Sequence, residues 1–195
     1  MSTQGNAVAE VTRRIGEATG GFHSLSAVKK HANIAKQRKY AICMSCVISK
    51  LLYGLESLWF LQADLKRLDG FFARCLRKIA GILPSFYSRV SNERVLQKFD
   101  ATPLSVMLKR RQVLLYGKLV KQPRDSLTRR VAIEDGGFKP KGWKPKRRVG
   151  RPCQRWTESV FNMALSAFDS ELELKRHIDS PDPYHWRSVV QKLRL

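Results

Sequence analysis

The apolar residues between Tyr40 and Trp59 recur at the spacing of an α-helix. Steps of three and four residues place them on one wide face, which consists of Tyr40, Met44, Val47, Ile48, Leu51, Leu52, Leu55 and Trp59. Polar residues at Ser45, Ser49 and Lys50 interrupt the run, so it lacks the about 18 uninterrupted apolar residues of a membrane-spanning helix. We therefore predict an amphipathic helix that packs against other helices, and no membrane partner.

Helical periods also run through the segments on either side of this one. Val11 to Leu25 follows steps of three and four residues, although Gly20-Gly21 predicts a break or bend in its middle. A second period, from Ala63 to Ile79, is followed by Gly81, which suits the left-handed cap at the end of a helix. Two helices are therefore predicted here, the second ending at Gly81.

Further helix-start signals occur in the second half of the chain. Ser91-Asn92 begins a short apolar period, and Thr102-Pro103 is a favourable pair of N-cap and first helical residue. Thr157 is placed to cap a last long helix, and a terminal helical turn is expected after Pro183. No segment shows the alternation typical of a half-buried strand. The sequence therefore predicts an all-α fold of about six helices.

The segment from Lys139 to Arg155 differs from the rest of the chain in composition. It contains eight Lys or Arg, three Pro and no Asp or Glu. Proline disfavours helix, and like charges at this density repel one another unless the segment is extended in solvent or binds a polyanion. We therefore predict a flexible basic arm at residues 136–155, between a helical bundle at residues 1–135 and a C-terminal helical segment at residues 156–195.

The charge of the chain indicates which polyanion would bind. The formal net charge is +21, and residues 109–155 hold 16 basic and three acidic side chains. Lys and Arg bind nucleic-acid phosphates with release of counterions, and an exposed Trp can stack on a base. The candidate contact residues are Lys139, Lys141, Trp143, Lys144, Lys146, Arg147, Arg148, Arg151 and Arg155. Trp156 is expected to lie half-buried at the base of the following helix.

Patterns that would indicate catalysis or metal binding are weak. Cys43 and Cys46 form a C-x-x-C pattern, but Cys75 and Cys153 lie far away without adjacent ligands, so we expect buried apolar cysteines instead of a zinc site. None of the four histidines has a second His or a carboxylate at metal or triad spacing. We therefore expect no catalytic site and no cofactor within this chain.

Gly150-Arg151-Pro152 follows basic residues in a way that is similar to the core of an AT-hook. That core places Arg in the narrow minor groove of A·T-rich DNA. Val149 stands where the AT-hook core has Arg, and the run Lys144 to Arg148 also fits a nuclear localisation signal. An AT-hook-like DNA-binding protein is therefore an alternative to binding through phosphates alone.

Several motifs in fixed order resemble one protein family. They are Leu51-Leu52-Tyr53-Gly54-Leu55-Glu56, Ala63-Asp64, Arg74-Cys75-Leu76-Arg77, Asn92 with Leu96, Arg110-Arg111 through Gly117, Gly150-Arg151-Pro152 with Arg155-Trp156, and Trp186-Arg187. In this order and spacing, the chain from about Glu10 onward resembles the region after the palm of non-LTR retrotransposon (LINE-type) reverse transcriptases.

The resemblance implies a thumb-like helical bundle that grips template–primer through its backbone. The expected partner is an RNA–DNA hybrid or duplex DNA, bound largely independently of sequence. The polymerase centre of this family holds two magnesium ions with paired aspartates, and no Asp-Asp occurs in this chain. The resemblance therefore implies a non-catalytic fragment of an RNA-directed DNA polymerase, without fingers or palm.

Two other interpretations stay open. The chain could be a protein-interaction module that self-associates through exposed apolar helix faces, the Tyr40–Trp59 helix first among them. It could also be a truncated reading frame without function. Since residues 1–10 show no signal-peptide pattern, we expect a nuclear or cytoplasmic protein and not a secreted one.

Overall fold

The computed structural model describes residues 7–30, 33–142, 155–168, 170–182 and 184–193, and these residues fold into helices. Eleven helices and no strand occur among them, so the predicted all-α class is confirmed and the predicted number of about six helices is wrong. The difference arises because periodicity identifies apolar faces but misses helices of four to eight residues.

The helices are numbered here in chain order. They are α1 (Ala7–Ser24), α2 (Ser26–Lys30), α3 (Lys36–Cys43, Met44–Ile48 and Ser49–Leu52 in direct succession), α4 (Gln62–Ala80), α5 (Ser85–Ser88), α6 (Asn92–Gln97), α7 (Leu104–Lys121), α8 (Leu127–Ala132), α9 (Trp156–Leu165), α10 (Glu171–Ile178) and α11 (His185–Lys192).

The chain divides into two compact units, residues 1–107 and residues 108–195. The division falls within α7. The boundaries predicted from composition, at residues 135/136 and 155/156, both lie inside the second unit, and they stay a prediction.

In the first unit, α1 contributes Val11, Ala18 and Phe22 to the core. This helix runs unbroken from Ala7 to Ser24, so the predicted break at Gly20-Gly21 does not occur. A glycine costs a helix only about 1 kcal/mol relative to alanine, and the buried apolar face on both sides of the pair outweighs that cost.

The predicted Tyr40–Trp59 helix is shorter than its apolar pattern. In α3 the middle turn, Met44–Ile48, is π-helical, and the helix ends at Leu52. Gly54 follows with a φ of 73°, a left-handed conformation that stops the helix and favours glycine. Leu55 continues the buried face from a single 3₁₀ turn, Leu55–Ser57.

The end of α4 agrees with the sequence prediction. Gly81 caps the helix in the left-handed conformation, with a φ of 72°, and the N–H of Ile82 donates to the carbonyl oxygen of Arg77 at 2.9 Å. α6 begins where the sequence predicted a helix start, and Ser91 caps it, since its Oγ accepts from the N–H of Arg94 at 3.2 Å.

The core of the second unit is formed by α7, α9, α10 and α11 together with the turn after α8. Its buried side chains include Tyr116, Ile133, Phe161, Leu174 and Trp186. The prediction that Thr157 caps α9 is wrong, because this helix begins at Trp156, and Arg155, two residues before Thr157, takes the N-cap position without a side-chain cap.

Candidate nucleic-acid interface

Three of the nine predicted contact residues lie in the described part of the chain. They are Lys139, Lys141 and Arg155. The other six lie outside the described residues: Trp143, Lys144, Lys146, Arg147, Arg148 and Arg151. The described geometry therefore concerns the two ends of the basic segment.

The N-terminal end of the basic segment belongs to a hydrogen-bonded turn. Ile133 and Pro140 form an isolated antiparallel bridge. The N–H of Glu134 donates to the carbonyl oxygen of Lys139 at 2.9 Å, and the N–H of Lys141 donates to that of Ala132 at 3.0 Å. Residues 136–141 are thus held in a defined turn, although the sequence predicted an irregular arm from residue 136.

Two side chains hold this turn in place, the buried Tyr116 and the partly exposed Arg129. The hydroxyl of Tyr116 donates to the carbonyl oxygen of Phe138. The guanidinium of Arg129 donates to the carbonyl oxygens of Gly137 at 3.1 Å and Gln122 at 3.0 Å. Burial also raises the pKa of Tyr116, so its hydroxyl stays a neutral donor. These side-chain hydrogen bonds therefore join the turn to α7 and α8.

The C-terminal end of the basic segment lies beside the N-terminal end. Nη1 of Arg155 donates to the carbonyl oxygen of Lys141 at 3.3 Å. A methyl group built on Gly142 would stand 3.5 Å from the same nitrogen. Trp156, the next residue, is half-buried against the core of the second unit, as the sequence predicted. Residues 143–154 are therefore bounded by two adjacent, fixed ends.

The three described cations differ in how far their charge is neutralised. Nζ of Lys139 lies 2.6 Å from Oε2 of Glu171, and this ion pair reduces its attraction for phosphate. Lys141 and Arg155 are exposed, and their hydrogen bonds run to carbonyl oxygens, which leave the full positive charge in place. Lys141 and Arg155 are therefore the better phosphate ligands of the three.

Arg130 also lies at this basic end, although it is not among the predicted contact residues. Nζ of Lys141 lies 3.5 Å from the carbonyl oxygen of Arg130, whose side chain is exposed on α8. Arg130 lies outside the dense basic run, and only the turn at residues 133–141 brings the two residues together. The local excess of basic residues over residues 109–155 was the signal that included it.

Two of the histidines lie in contact with each other. Nδ1 of His177 and Nε2 of His185 lie 2.8 Å apart, and the two ring planes differ by only 19°. A carboxylate oxygen of Glu173 lies 3.7 Å from Nε2 of His177. The rings of His177 and His185, eight positions apart in the sequence, are brought together by the loop between α10 and α11.

The cysteines and acidic residues form no metal site in the described part of the chain. No group of three or more His, Cys, Asp or Glu side chains there could hold a metal ion. Cys43 and Cys75 are buried as predicted, whereas Cys46, within the π-helical turn, is exposed.

The apolar face of α3 is not a free surface. Val47, Ile48, Leu51 and Leu52 are buried in the core of the first unit. Self-association through this face would require the unit to open. None of the described helices is long and apolar enough to cross a membrane.

No protein-family model, no curated protein and no solved structure matches this chain.

Proposed function

We propose that this chain is a non-catalytic nucleic-acid-binding module, similar to the thumb and following region of a LINE-type reverse transcriptase. It grips an RNA–DNA hybrid or a DNA duplex through phosphates, with little dependence on sequence. The observation that carries the proposal is the basic segment at residues 139–155. It holds eight Lys or Arg without an acidic residue, in a chain with a net charge of +21.

The arrangement of the two ends supports this proposal. Because the carbonyl oxygen of Lys141 accepts from Arg155, the segment starts and ends at one place on the second unit. The described residues Lys141 and Arg155, both exposed and basic, therefore lie at the same place. A dense set of cations binds phosphates with the release of several counterions.

Salt dependence tests the proposal. Binding of the full chain to a fluorescent DNA duplex and to an RNA–DNA hybrid of the same length is measured by anisotropy at several salt concentrations. We expect log K to fall linearly with log salt. The variant K146A/R147A/R148A should lower the slope by about 2 to 3, since each lost phosphate contact removes about 0.9.

A charge-matched variant separates a local site from general attraction. K36A/R38A/K50A removes the same charge from exposed positions on α3 in the first unit. It should change the slope by less than half as much as the first variant. Equal slopes for the two variants, or affinity that does not change with salt, would contradict a phosphate-binding role for the basic segment.

A further inference from the structure

The loop between α4 and α6 displays two adjacent aromatic side chains. Phe86 is 81% exposed and Tyr87 is 72% exposed, and they lie on the four-residue helix α5. Their ring centroids are 5.3 Å apart and their planes differ by 88°. Large apolar side chains at this exposure lose hydrophobic stabilisation, so a pair of them indicates a binding surface.

The backbone beneath these rings is fixed. Arg77 is buried, and its guanidinium donates to the carbonyl oxygen of Val90 at 2.6 Å and to Oδ1 of Asn92 at 3.0 Å. Further hydrogen bonds run to Oγ of Ser88 at 3.4 Å and to the carbonyl oxygen of Leu83 at 3.5 Å. One side chain thus holds both sides of α5, and the aromatic pair is presented without a cost of loop ordering on binding.

The charge around the pair is positive. Residues 70–92 contain no Asp or Glu. Arg89 lies two residues after Tyr87 and caps α5, with its N–H donating to the carbonyl oxygen of Ser85 at 3.0 Å. The exposed basic residues of the same range are Arg74, Lys78 and Arg89. A ligand for this surface therefore combines flat apolar faces with negative charge.

We propose that Phe86 and Tyr87 stack on unpaired bases of single-stranded nucleic acid while the neighbouring Lys and Arg bind its phosphates. Single-stranded nucleic acid has the required chemistry, since every base offers a π-face and every linkage carries a negative charge. In a duplex the bases stack on each other and are closed to these rings. The proposal rests on the proposed function, because it extends nucleic-acid binding to a second surface, on the first unit.

The test compares single-stranded and duplex ligands on the full chain. The probes are an oligothymidylate of about 20 nucleotides and a blunt-ended DNA duplex of the same length. The variant F86A/Y87A is expected to bind the oligothymidylate about tenfold more weakly than the wild type, and the duplex with less than twofold change. Y184A is the matched control, because Tyr184 is 73% exposed but lies close to Asp179 and Asp182. It should leave both affinities unchanged.

Each outcome of this test supports or contradicts either base stacking by Phe86 and Tyr87 or the proposed nucleic-acid binding of the chain. If the wild type binds both ligands but F86A/Y87A keeps its affinity for the oligothymidylate, or loses affinity for both ligands equally, base stacking is wrong and phosphate binding survives. Binding of neither ligand by the wild type would overturn the proposed function as well. A sedimentation coefficient that rises with concentration for the wild type, but not for F86A/Y87A, would assign the pair to self-association instead. Equal thermal melts of variant and wild type exclude misfolding.

Discussion

The indole of Trp186 lies directly against the backbone of Gly117 in the second unit. A Cβ atom built on Gly117 would stand 2.1 Å from Nε1 of Trp186, 2.6 Å from its Cε2 and 2.8 Å from its Cδ1. Trp186 is buried, so its ring has no free space into which to move. Glycine is therefore required at position 117, although a glycine in mid-helix lowers the intrinsic stability of α7.

This contact predicts that Gly117→Ala destabilises the chain. Alanine gains about 1 kcal/mol of helix propensity, but forcing apart a packed ring and a helix costs about 1 to 3 kcal/mol, and contacts this short lie at the upper end. We expect a net loss of about 1 to 2 kcal/mol in the free energy of unfolding, measured with denaturant. Gly16→Ala is the control, because nothing lies within 4 Å of a Cβ built there on α1. If the G117A variant were as stable as the wild type, the close contact between Gly117 and Trp186 would be contradicted.

Substitution of Arg77 is predicted to destabilise the chain locally, within residues 83–91. Its guanidinium is buried and bonds to four groups of residues 83–92. Arg77→Lys keeps the charge but cannot reach all four acceptors, so buried groups lose their partners at a cost of about 1 to 3 kcal/mol. We expect faster amide exchange and protease cleavage within residues 83–91. Arg74→Ala, at an exposed position of the same helix, should leave both rates unchanged.

Periodicity predicted the helical class because a helix with one buried face has apolar residues at steps of three and four along the sequence. Gly81 was predicted as a cap, and Ser91-Asn92 as a helix start, for a similar reason, since both positions meet a local backbone requirement. The short helices α5 and α8 have no such periodic pattern of apolar residues. α5 buries none of its side chains, and α8 buries none either.

Contacts between residues that are far apart in the sequence could not be predicted from local sequence patterns. The turn at residues 133–141 depends on Tyr116 and Arg129, which lie on other elements. The pairing of His177 with His185 depends on how α10 and α11 pack. For the candidate site, the sequence identified the positive charge, whereas the ion pair of Lys139 with Glu171 emerged only from the fold.

The lowered pKa of Glu10 predicts that the chain loses a small part of its stability at acidic pH. Hydrogen bonds from the guanidinium of Arg13, and then of Arg14, lower the pKa of its carboxyl to about 2. Since the folded pKa lies below the unfolded value, its contribution is complete above about pH 4.5 and is lost as the pH falls toward 2. The group is partly exposed, so we expect Glu10→Gln to cost less than about 1 kcal/mol at neutral pH. The difference between variant and wild type should shrink below pH 4.

The raised pKa of Tyr116 predicts that the chain loses stability at alkaline pH. Burial raises the pKa of its hydroxyl, which donates to the carbonyl oxygen of Phe138. In the unfolded chain the same hydroxyl ionises near its ordinary pKa of about 10. The contribution is therefore complete below about pH 10 and declines as the pH rises further. Tyr116→Phe should cost about 1 kcal/mol at neutral pH, through the lost hydrogen bond, and should show a flatter alkaline decline in denaturant unfolding. An identical alkaline decline in both proteins would mean that Tyr116 ionises in the folded state and is not held neutral by burial.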